Sequence, residues 1–167
     1  MRHVLGSAAL VLLVTALGCG GGRYGYSRTY STWGDEGRYY ERQVDLSYEA
    51  VRRFPDRHAD DLLGWFGTVE AIDRLDADSG EARLRLQLRP HRERHLCADE
   101  TEASCRVTVS ERAVGPFTVL LELRPEDRRA GPARLWTGSL LKVYGYVTDA
   151  GDAESGPVIR AEWYRHW

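Results

Sequence analysis

Apolar and polar residues alternate most regularly from Arg83 to Arg89, where Leu84, Leu86 and Leu88 point one way and Arg83, Arg85, Gln87 and Arg89 the other. That period of two is the mark of a strand with one face buried and one in water. A second apolar run, Trp65 to Asp73, reads as a strand carrying Gly67, a residue common where a strand bends. The turn-forming stretch 76–80 (Asp-Ala-Asp-Ser-Gly) separates the two, so they should pair antiparallel. A third strand is expected at Phe117 to Leu123, followed by a polar stretch, 124–133, long enough for a loop or short helix. Leu140 to Thr148 and Val158 to Trp163 complete the set, divided by the Asp/Gly/Ser-rich segment 149–156. Ahead of the strands, Ser47 can cap a short helix from Tyr48 through Arg52, with Pro55 closing it after Phe54.

Five strands with a break between the third and fourth predict a mainly all-β fold, a small five-stranded OB-like barrel preceded by a short helix. The N-terminus has a different character. After Arg2 and His3, residues 4–17 carry no charge, and Gly18-Cys19-Gly20 follows, the layout of a secretory signal that is removed on export. The uncharged run is shorter than the roughly 18 to 20 residues that cross a bilayer as a helix. Residues 20–43 contain no Leu, Ile or Val, so 19–43 is expected to be a flexible tether and 44–167 the folded domain. The same segment interleaves Tyr24, Tyr26, Tyr30, Trp33, Tyr39 and Tyr40 with arginines, a pattern that can also stack on sugars, bases or lipid headgroups.

The formal net charge of −2 gives no basic field of the kind that nucleic-acid binding requires. Motifs for nucleophilic serine, helix-borne zinc, phosphate or dinucleotide chemistry are missing, and with them any reason to expect an enzyme or a cofactor. His58, Asp60 and Asp61 form an acid/base-like group, but their setting reads as solvated surface.

Ala16-Leu17-Gly18-Cys19 resembles the bacterial lipobox. More broadly, the segments Ser47 to Pro55, Gly64 to Val69, Gly138 to Val147 and Pro157 to Tyr164, in that order and spacing, resemble the starvation-inducible, Slp-type outer-membrane lipoproteins. The resemblance implies that Cys19 carries a diacylglyceryl group on its thiol and an acyl chain on its amine. Gly20, where an inner-membrane retention signal would have Asp, implies the outer membrane, with the domain facing the periplasm. It also implies an envelope protein associated with stress. Residues 90–115, which hold the other two cysteines, are an insertion relative to that family's pattern.

Cys97 and Cys105 flank seven residues in a chain expected to be exported, where oxidising conditions favour a disulfide across the tip of a hairpin arm. His91 and His95 beside these cysteines supply zinc-type ligands, although the spacing fits no common zinc module and Arg92 and Arg94 would crowd a cation. A ligand face is the remaining candidate. Arg83, Arg85 and Arg89, with Tyr144 and Tyr146 on the fourth strand, would offer an anion- or glycan-binding surface suited to peptidoglycan, whereas exposed strand arginines also serve simply to discourage edge pairing. The expectation is a lipid-anchored, non-enzymatic binding or structural module of the envelope, with the Arg/Tyr glycan surface as the alternative.

Overall fold

A computed structural model describes residues 26–27, 30, 32–74, 79–92, 94–95 and 108–167. Residues 1–18, expected to be a signal segment, and all three cysteines, Cys19, Cys97 and Cys105, lie outside the described residues. The expected disulfide therefore receives no support from the structure.

The five expected strands are present: β1 (Leu63–Arg74), β2 (Glu81–Leu88), β3 (Pro116–Glu122), β4 (Leu140–Asp149) and β5 (Val158–His166). They close into a barrel in the order β1-β2-β3-β5-β4, with β4 returning to β1. Every pairing is antiparallel except β3 with β5, which run parallel through only three paired positions, Thr118 to Leu120 against Val158 to Arg160. β2 alternates as its sequence foretold, with Ala82, Leu84, Leu86 and Leu88 buried. β5 runs three residues past the predicted Trp163, because Tyr164 packs into the core and Arg165 and His166 still pair with β4.

The interior is filled from all five strands, including Val69, Leu84, Phe117, Val143 and Ile159. Gly67 faces inward, where a Cβ would stand 2.7 Å from the Phe117 ring and 3.0 Å from Leu86 Cβ, so the barrel is packed too closely there for a side chain. The strand irregularity lies further on, a register shift between Val69 and Ala71. The short helix α2 (Tyr48–Arg53), capped by Ser47, which accepts from the Ala50 N–H at 3.2 Å, plugs one end of the barrel. Val51 is fully buried, the Tyr48 hydroxyl donates to the Pro116 carbonyl at 2.9 Å, and the Trp65 indole donates to the Leu46 carbonyl at 3.1 Å.

The other end is tied by α3 (Pro125–Arg128), a short helix in the β3–β4 connection. There the buried Asp127 accepts hydrogen bonds from the Tyr164 hydroxyl, from His166 Nε2 at 2.8 Å and from the Arg124 N–H at 3.2 Å. Burial pushes that carboxyl up, but the donors around it more than offset this and hold it below the ordinary aspartate value. After β2, His91 and Arg92 pair with Val109 and Thr108, whereas Arg94–His95, expected on the same hairpin arm, pairs with Tyr26–Ser27 instead.

One expectation is corrected. The C-terminal half of the segment read as a flexible tether is docked on the barrel. Residues 34–36 form a 3-10 turn that runs into α1 (Gly37–Tyr40), and Tyr30 and Glu36 are buried. This strap, residues 30–43, lies over the outside of β1, β4 and β5. It lacks aliphatic residues, yet buries itself through aromatic rings and a single carboxylate.

Candidate functional site

Alternation along β4 sends Leu141, Val143 and Val147 into the core and leaves Lys142, Tyr144 and Tyr146 on the outer face. On β1 the same parity puts Gly64 and Phe66 outside. A bare sheet would expose these side chains, but Lys142, Tyr144 and Phe66 are buried because the strap covers them. Beneath it lies a second cluster, separate from the barrel interior. Tyr39 stacks on Tyr144 and Trp163 at ring separations of 5.9 and 6.1 Å, and Tyr30 meets Phe66 edge-on at 5.5 Å.

Glu36 fastens the strap. One carboxylate oxygen accepts from the Tyr30 hydroxyl at 2.5 Å and the Tyr144 hydroxyl at 3.0 Å. The other accepts from the Trp33 N–H at 3.0 Å, capping its own turn, and from Arg165 at 3.2 Å. A fully buried carboxylate persists only when its lone pairs are satisfied and a cation is at hand, and both conditions are met. Burial, reinforced by Glu36, raises both tyrosine hydroxyls far above the usual tyrosine range, so they remain donors at any physiological pH.

Beside this anchor, strap and barrel leave a cleft of about 700 Å³. Its walls are mostly apolar: Tyr40, Val44 and Leu46 from the strap side, Phe66 and Leu88 from the barrel, and Val114 from the base of the arm. Lys142 lines it. The ammonium donates to the Gly64 carbonyl at 2.7 Å and to Gln43 Oε1 at 3.1 Å, and sits over the rings of Phe66 and Tyr144 at 4.5 and 4.7 Å. Burial drives its pKa down to about 7, against the opposing pull of Glu36 and Asp45. Arg89 and His91 stand at the same cleft. The Arg89 guanidinium donates to Thr68 Oγ1 at 3.2 Å and to the Glu111 carbonyl, while His91 lies flat on Phe66 at 5.3 Å. No protein-family model matches the chain, and no curated protein matches it either.

The five residues expected to form one basic and aromatic surface are not brought together. Arg83 and Arg85 are exposed on β2, opposite Asp73 and Ala71 of β1, and Arg85 lies 3.9 Å from Glu70 and 3.7 Å from Glu154. Tyr144 pairs with Gly64, at the other end of β1 and on its opposite edge, and is wholly buried. Seven to nine residues of strand, roughly 23 to 30 Å at full extension, separate those pairing points. Tyr146 is half-buried and its hydroxyl accepts from Arg42 of the strap at 3.1 Å. Only Arg89 belongs to the cleft.

His95, Cys97 and Cys105 of the metal alternative have no described side chains, and among the described residues no three His, Cys, Asp or Glu side chains converge. His58 and Asp61 do form a pair at 2.8 Å, on the surface between α2 and β1. No helix among the described residues is long and apolar enough to cross a membrane.

Lys142 and Glu36 carry the site, and neither stands out by local pattern. A compositional signal was there to be used: of the 23 Lys and Arg residues, Lys142 is the single lysine. Guanidinium and ammonium are not interchangeable, since the latter is a compact, heavily hydrated charge whose pKa gives way readily on burial.

Proposed function

We propose that this chain is a lipid-anchored envelope lipoprotein of the Slp type, attached through Cys19 to the outer membrane. Its OB-like barrel serves as a non-enzymatic binding module in the periplasm. The OB-like reading rests on the five-stranded closed barrel and on the short helix between β3 and β4. The observation that carries the functional reading is the cleft whose one wall is the strap and whose other is the barrel. Its size falls within the range of small-molecule sites, and an apolar lining with a few polar groups fits binding better than chemistry. The strap follows directly on the Gly-rich segment after Cys19, so anchor and binding site lie on one continuous stretch of chain.

Mass spectrometry of the N-terminus of native protein, purified from membranes, tests the anchor. The expected result is a mature chain beginning at an acylated Cys19. An N-terminus elsewhere, without lipid, overturns the anchoring.

A further inference from the structure

We propose that the cleft binds an amphiphilic carboxylate, its anionic head on the Lys142 ammonium and its apolar body along the walls of Val44, Leu46, Phe66, Leu88 and Val114. The inference deepens the reading of the cleft as a binding site and is independent of the lipid anchor.

The argument begins with a charge lacking a counter-ion. Lys142 is buried, yet both of its hydrogen-bond acceptors are neutral oxygens, the Gly64 carbonyl and the Gln43 amide. No carboxylate among the described residues lies within ion-pair distance of it. Glu36, the nearest buried acid, is already committed to two tyrosine hydroxyls, a backbone N–H and Arg165. A buried cation is costly unless an anion and full hydrogen bonding compensate it. An ammonium has three donors, and the protein takes two.

The remaining donor belongs to a group that lines an open, mostly apolar cleft, so the arrangement is incomplete in a way that an anion entering from the cleft would complete. Arg89 and His91 stand by the same space, and Asp45, on the strap side, is exposed to water. Tyr30, Tyr40, Tyr48, Gln43 and Ser47 are the other polar side chains along its lining. The apolar walls ask for a hydrocarbon body, and the single buried cation asks for a single negative head. The depressed pKa is what an ammonium awaiting its counter-ion should show; a carboxylate seated on it would raise the value again.

Calorimetric titration of the full chain with dodecanoate, dodecanol and dodecyltrimethylammonium decides the matter, with the two ionic amphiphiles below their micellar concentrations and dodecanol below its solubility limit. Dodecanoate should bind at pH 6.5, with dodecanol and the cationic detergent weaker by a factor on the order of ten or more. Lys142→Met should remove that preference, bringing dodecanoate binding down to the level of dodecanol. Because Lys142 is the only lysine, acetylation of its amine gives an independent reading in the unsubstituted protein, and dodecanoate should slow it while dodecanol does not. Equal binding of dodecanoate and dodecanol overturns the carboxylate assignment but leaves a hydrophobic binding site. Failure of all three to bind overturns the cleft as a binding site as well.

Discussion

Glu36 and Lys142 are buried charges on the same patch of barrel wall with opposite fortunes. Glu36 has four donors, among them Arg165, whose side chain is only 12% exposed. Glu36→Gln would strand that guanidinium without its counter-charge and turn an amide N–H toward existing donors, and a loss of about 3 kcal/mol is expected on urea unfolding. Lys142 has two neutral acceptors and two ring faces but no counter-ion among the described residues, and the consequence shows in the sign of its pH dependence. Its folded value is about 7 against 10.5 for a free lysine, so between those limits the unfolded chain binds more protons than the folded one. The lysine's contribution to stability is complete above 10.5 and is lost as pH falls through 7. Wild type should therefore gain stability relative to Lys142→Met between pH 7 and 10, and Lys142→Met should be at least as stable as wild type at pH 6. Urea midpoints of the two proteins at pH 6 and 9.5 measure this, and parallel profiles would contradict the burial of an uncompensated ammonium.

Among the strands, β1 packs closely against β2 and β3 at Gly67. Gly67→Ala would drive a methyl group against the Phe117 ring and Leu86. A loss of about 1 to 3 kcal/mol is expected, read as a lower thermal midpoint with an unchanged far-ultraviolet spectrum. All five barrel strands were legible in sequence, because each buries one face in a common interior and so writes a period of two. β2 shows this most plainly, with Ala82, Leu84, Leu86 and Leu88 against Arg83, Arg85 and Gln87. β4 shows the limit of the method. Lys142, Tyr144 and Tyr146 occupy its polar parity, and the two tyrosines were read as part of an open ligand surface, but what decides their burial is a strap about a hundred residues earlier in the chain. Local periodicity holds no record of such a partner. The strap escaped for the converse reason: aliphatic residues signal burial in sequence, and residues 30–43 bury tyrosines and a glutamate instead.

The molecule as a whole is a barrel with two hydrophobic layers, its interior and a smaller one trapped beneath the strap. Removing residues 1–43 would strip Phe66, Tyr144 and Trp163 of their cover and leave Arg165 without Glu36. Such a truncated protein should melt well below the full chain and bind the dye ANS, and an equal melting temperature would mean that the strap contributes nothing to the fold. The strap's fastenings also fix an order of events. Glu36 reaches Tyr144 and Arg165, 108 and 129 positions along the chain, and closure of the barrel waits on β5 as well. Contacts of such long sequence separation form slowly. The strap, made before every strand it fastens to, is thus the last to find its seat, and until β5 is in place it has no finished barrel on which to lock. A nascent chain of this design stays open until β5 has been made, and a chaperone has that interval in which to engage it.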